Sequence, residues 1–298
     1  MWKKPMIRPI AAAFGLGLLI ASCASGDGPT TSQPAVNSSM DSLEQAKMAE
    51  LQKIFFSIPS PMEMSSLIKN MGYTYDAKML NSPENVTKYT GEAKQAINLG
   101  IYGADLSFAS MFDQKQESMN YLAAAQKLSR EMGVDGALQD EMIERLNANQ
   151  ESRDSLLKIV SEAYADLNGY LKENDRIEVS ALVVAGGWLE ALYLSTAYSA
   201  SNNETIKTRI AEQKYALNNL IDYFNRFGDK ENLREMKADL MALQVIFNDV
   251  TAQSGKTEVK KEKDGMVVIG NSGSVSMSDE TLKKIATKVS EIRSKYIS

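Results

Sequence analysis

From Ser39 onward the apolar residues recur every three or four positions, which is the period of an amphipathic helix. Leu51, Ile54, Phe55 and Ile58 share one face. The chain is then punctuated at Pro59. Ser60 suits an N-cap, Pro61 the first helical position, and Glu63 completes a capping box. The helix that follows is expected to stop at Gly72, because glycine accepts the left-handed conformation that ends a helix. A loop rich in Tyr and Asn comes next, from Tyr73 to Tyr89, with a short helical turn after Pro83.

A long helix is predicted from Glu92 to Phe112 on the recurrence of Ala93, Ile97, Ile101, Ala104, Phe108 and Met111. A partner runs from Gln116 to Met132 and stops at Gly133, and a shorter helix spans Leu138 to Leu146. Leu156, Val160, Ala163, Tyr164, Leu167 and Leu171 form the next stripe, with Gly169 inside it. Val179 to Ala200 is the most apolar stretch of the body. Its length would suit a bilayer, but Glu190 sits in the middle, Gly186 and Gly187 interrupt it, and a charge at bilayer depth costs at least about 2.5 kcal/mol. It is read as the buried central helix of a bundle. Helical spacing continues through Ile210, Leu217, Leu220, Ile221 and Phe224 to Gly228. It resumes through Leu233, Met236, Leu240, Leu243, Phe247 and Val250.

After Gly255 the pattern changes. Thr257 to Lys263 is highly charged, and Asp264-Gly265 precedes Met266-Val267-Val268-Ile269, a strong β-hairpin signal. Ser278 caps a final helix with Leu282, Ile285, Val289, Ile292 and Tyr296 on one stripe. The predicted fold class is therefore all-α: a bundle of about eight or nine helices with a short C-terminal hairpin and terminal helix.

The first residues follow a different logic. Lys3, Lys4 and Arg8 precede the uncharged apolar run Ile10 to Ile20, which is too short for a mature membrane span of about 20 residues. Leu19-Ile20-Ala21-Ser22-Cys23 resembles a bacterial lipobox, in which cleavage before the cysteine is coupled to its acylation. Cys23 is the only cysteine of the chain, and its expected task is to carry lipid. Several acyl chains hold a protein firmly, because each buried CH₂ contributes about 0.8 kcal/mol. Gly, Ser, Thr and Pro dominate the residues after Cys23 and cannot build a core. About 15 such residues reach roughly 20 Å. The expected organisation is a signal peptide over 1–22, a tether over 23–38, a helical bundle over 39–252 and a hairpin-plus-helix appendix over 253–298.

Composition narrows the chemistry. The 298 residues contain no histidine, which excludes a Ser-His-Asp triad, a Cys-His pair and imidazole metal ligation. One cysteine cannot form an intrachain disulfide or a thiolate zinc site. Net charge is −5, and removing the three bases of the leader leaves −8 on the remainder. An acidic body argues against nucleic acid as a partner. No cofactor is expected.

Two segments concentrate the candidate chemistry. In Leu99 to Ala109, Gly100 and Gly103 notch one helix face and Asp105 is surrounded by Ile101, Tyr102, Phe108 and Ala109. In Ala185 to Tyr193, Glu190 neighbours Gly186, Gly187 and Tyr193, and Trp188 lies between. Three readings follow. Each acid could satisfy buried backbone or a Lys/Arg partner. The acids could form a ligand pocket walled by Tyr102 and Trp188. They could act as an acid/base pair cleaving envelope glycans, which needs two carboxyls and no histidine. An open cleft with the acids about 5–10 Å apart would favour the last, and a seal against Arg or Lys would exclude it.

Several segments together carry a resemblance: the lipobox, Phe56 to Glu63 (FSIPSPME), Asn81 to Tyr89 (NSPENVTKY), Asn98 to Phe112 (NLGIYGADLSFASMF) and Val183 to Leu192 (VVAGGWLEAL). They resemble a family of uncharacterised lipoproteins from Bacteroidota, over most of the body after the tether and less so over the C-terminal appendix. The resemblance implies an envelope lipoprotein in the outer membrane and imports no activity. Ala24 after Cys23 lacks the aspartate that retains such lipoproteins in the inner membrane, and the lone Asp27, in place of the acidic run of surface-exported ones, favours a periplasm-facing position. The implied partners are membrane lipid, through acylated Cys23, and an envelope protein or small ligand.

Overall fold

The computed structural model describes residues 61–134, 144–146, 148–149, 152–199, 203–253, 257–261, 267–271 and 274–298. All of them fall in one compact unit. The leader, Cys23, the tether, the 51–58 stripe, the Ser60 cap and most of the 138–146 helix lie outside the described residues.

Eight α-helices are present among the described residues: α1 Pro61–Asn70, α2 Glu92–Met111, α3 Lys115–Glu131, α4 Arg153–Glu173, α5 Ile177–Tyr198, α6 Glu204–Asn225, α7 Glu231–Phe247 and α8 Asp279–Ile297. Two short 3-10 turns, Ala77–Met79 and Pro83–Lys88, organise the loop between α1 and α2. The predicted helical bundle is the observed architecture. Pro61 opens α1, and Gly72, Gly133 and Gly228 end helices at φ of 82°, 65° and 70°. Asp113 closes α2 in the same left-handed region at φ 59°, where a short polar side chain is tolerated. Asn203 caps α6 by accepting from the backbone N–H groups of Thr205 and Ile206, and Ser278 caps α8 by accepting from that of Thr281.

The centre of the bundle is the pairing of α2 with α5. Helix α5 is long and apolar enough to cross a membrane by length and composition, yet 78% of its apolar window is buried in the protein. Around this pair stand α1, α3, α4 and α8, while α6 packs on both α5 and α7. The core is continuous, from Ile68 on α1 through Ile101 and Phe108 to Leu220, Leu243 and Ile285.

The hairpin also forms. Strands β2 Thr257–Lys261 and β3 Val267–Asn271 pair antiparallel, with Lys261 opposite Val267 and Thr257 opposite Asn271. The Asp264-Gly265 turn itself lies outside the described residues. A second pairing encloses it in sequence: β1 Thr251–Gln253 runs antiparallel to β4 Ser274–Ser276. Two three-residue strands carry too little periodicity to be read from sequence. The segment after residue 253 was expected as an appendix. Its helix instead belongs to the bundle: α8 packs on α5, α7 and α2, and Ile285, Val289, Ile292 and Tyr296 are buried.

Candidate functional site

Glycine brings the two candidate acids together. A Cβ placed on Gly100 of α2 would sit 1.9 Å from the Val183 carbonyl oxygen and 2.7 Å from the Gly187 nitrogen, both on α5. One placed on Gly186 would sit 2.0 Å from the Ile97 carbonyl oxygen. The two backbones therefore touch, in the manner of small-residue helix crossings. Glu190 lies one turn beyond Gly186, and Asp105 just over one turn beyond Gly100. Both acids are fully buried at 0% exposure.

Helix α8 supplies the counter-charge. Arg293 donates from Nε to Glu190 Oε2 at 2.5 Å and from Nη2 to Glu190 Oε1 at 2.7 Å, a bidentate pair. It also donates to the Met79 carbonyl at 3.0 Å, and its guanidinium lies 4.1 Å from the centre of the Tyr193 ring. Burial opposes the charge on Arg293, and the adjacent Glu190 carboxylate outweighs it and holds the guanidinium protonated.

Asp105 is held differently. Its Oδ2 accepts the Asn81 backbone N–H at 3.2 Å. Its Oδ1 has no donor among the described residues, and the Glu190 carboxyl lies within hydrogen-bonding reach of the Asp105 carboxyl. Burial, and then the Glu190 charge, push the Asp105 carboxyl well above the usual range. The hydroxyls of Tyr89, Tyr102 and Tyr121 surround the site, and burial pushes all three upward.

A polar net fixes the loop over these acids. Asn81 Nδ2 donates to the Tyr89 hydroxyl at 2.9 Å and to Asn98 Oδ1 at 3.3 Å. Asn85 donates to Asn81 Oδ1 at 2.9 Å. Asn98 in turn donates to the Tyr296 carbonyl at 3.0 Å, tying α2 to α8. Tyr102 donates to the Ser82 carbonyl at 3.0 Å.

The expected pocket walls are corrected by this arrangement. Tyr102 stands beside Asp105, three residues away on the same face of α2. Trp188 and Glu190 are two residues apart, about 200° around α5, and face different neighbours. Trp188 is 2% exposed and donates from Nε1 to Gln213 Oε1 on α6 at 3.0 Å. Tyr102, Asp105, Trp188 and Glu190 thus occupy the interior and do not line one cleft. A groove of about 640 Å³ lies elsewhere, between α1 and α6, lined by Met62, Met64, Leu67, Met111, Tyr215 and Ala216 among others.

The first of the three readings fits the geometry: each acid is committed to buried partners. Glycan cleavage by this pair fails the condition set for it, because Glu190 is sealed against Arg293. The described residues contain no cluster of three metal-ligating side chains. Arg293, Asn81, Asn98 and Gln213 were not singled out in the sequence. Each is a polar residue with a partner outside its own element, from Asn81 with Tyr89 eight positions away to Arg293 with Glu190 across 103. Only the placement of Arg293 on the apolar stripe of α8, next to Ile292, hinted at an interior position. No protein-family model, curated protein or solved structure matches this chain.

Proposed function

We propose that the chain is a lipid-anchored protein of the bacterial cell envelope whose helical body serves as a non-catalytic binding or structural module. The observation that carries this reading is Leu19-Ile20-Ala21-Ser22-Cys23 placed directly after a basic, then apolar, leader. The fold supports it in two ways. Helix α5 is used up inside the bundle, so membrane attachment falls to the acylated cysteine. The two interior acids are engaged with Arg293 and with the Asn81 backbone, as in a structural core. The resemblance to lipoproteins of Bacteroidota favours the outer membrane, facing the periplasm.

The test is direct. Mass spectrometry of the mature protein is expected to give an acylated N-terminus at Cys23. A Cys23→Ala variant is expected to leave the membrane fraction and appear as soluble precursor or processed chain. A mature terminus elsewhere, or a variant that stays membrane-bound, overturns the anchor.

A further inference from the structure

The interior of the bundle holds two carboxyls against one guanidinium. Arg293 directs its fork at both oxygens of Glu190 and its remaining described bond at the Met79 carbonyl. No donor of Arg293 is directed at Asp105. Asp105 receives one backbone N–H, from Asn81, and its Oδ1 receives nothing from the described residues. A fully buried carboxylate with a bare oxygen beside a second carboxylate is the costliest form the site could take. A proton on Asp105 Oδ1 removes the excess charge and supplies the missing hydrogen bond, since the Glu190 carboxylate is an acceptor within reach.

We propose that Asp105 carries this buried proton and donates it in a hydrogen bond to Glu190, and that the proton is a latch: it holds α8 on the α2–α5 pair, and its loss in alkali loosens α8. Among the described residues, the groups facing Asp105 are few. They are Glu190 from α5, Arg293 from α8, Tyr102 from α2 itself, Tyr121 from α3, and Tyr75 and Tyr89 from the loop. Glu117 of α3 faces Tyr75, which donates its hydroxyl proton to it. Burial holds the four tyrosines in their neutral form, so Glu190 and Arg293 are the charges that Asp105 meets. Ionised Asp105 would set a second negative charge against the ion pair through which α8 is fixed.

The sign of the pH dependence follows. The folded chain keeps this proton at pH values where the unfolded chain has released it. The stability of the fold is greatest below the ordinary aspartate range, where both folded and unfolded chains hold the proton. It then weakens as pH rises, by at most about tenfold per pH unit in the unfolding equilibrium, until the folded carboxyl also ionises.

Asp105→Asn tests this, because the amide supplies a permanent donor to Glu190 in the same shape. Urea titrations of the full chain in detergent across pH 5 to 9 are expected to show wild type losing stability with rising pH, by tenfold or more in the unfolding equilibrium, about 1.4 kcal/mol or more. The variant is expected to be nearly flat. Hydrogen-exchange protection of α8, corrected for intrinsic rate, is expected to fall in alkali for wild type alone. Equal pH dependence in both proteins overturns the proposal. If the variant does not fold, carboxyl-carbon NMR of ¹³C-aspartate in wild type decides: one aspartate still protonated at pH 7 supports the latch, and none overturns it.

Discussion

Gly186→Ala and Gly100→Ala are each expected to cost about 3 kcal/mol or more and to leave the chain largely unfolded by modest urea. The added methyl would sit 2.0 Å from a carbonyl oxygen of the facing helix at Gly186, and 1.9 Å at Gly100. Nothing there is the tip of a side chain that can swing away. Relief requires α2 and α5 to separate, and that would open the crossing on which the core and both buried acids depend. Gly169 is the internal control. Beyond its chain neighbours and the backbone of its own helix, no atom of the described residues lies within 4 Å of the position its Cβ would take. Gly169→Ala is therefore expected to stabilise by about 0.5–1 kcal/mol through helix propensity alone. Urea unfolding followed by circular dichroism separates the two results. Opposite signs are expected for the same substitution within helices of one bundle, and a mild effect at Gly186 would contradict the close crossing.

Arg293→Met is expected to cost about 3–5 kcal/mol, because it leaves Glu190 as an uncompensated charge in the interior. Glu190→Leu alone is expected to be comparably costly, since it leaves Arg293 unpaired at 7% side-chain exposure. The double variant is expected to recover much of the loss, because apolar pairs of similar volume often replace buried ion pairs at little cost. A double-mutant cycle on unfolding midpoints gives the coupling directly. Additive single effects would show that the bidentate pair contributes nothing beyond its separate contacts.

The helices and most of their ends were legible because the apolar period is local and glycine stops are explicit. Gly72, Gly133 and Gly228 each terminate a helix at positive φ as read. The burial of Asp105 and Glu190 was also legible, since each is enclosed by apolar residues one turn away on its own helix. Their convergence was suggested by glycine notches and is realised by Gly100 and Gly186. The counter-charge was not legible. Arg293 meets Glu190 across 103 positions and Met79 across 214, and no local pattern encodes such a partner. Trp188 was misjudged for a geometric reason: proximity in sequence to Glu190 puts it on another side of the helix, against Gln213.

The closure of the interior by α8 has a kinetic consequence. Tyr89 donates to the Ile297 carbonyl across 208 positions, and Asn98 to that of Tyr296 across 198. While a ribosome still holds α8, Glu190 has no cation and the loop at Asn81 lacks its tie to α8. The bundle can collapse early through α2 and α5, but it cannot lock until residue 293 arrives. Folding should be slow for a helical protein, because its decisive contacts are the most distant ones. A chain of this kind stays pliable through most of its synthesis and becomes rigid only when its last described helix docks.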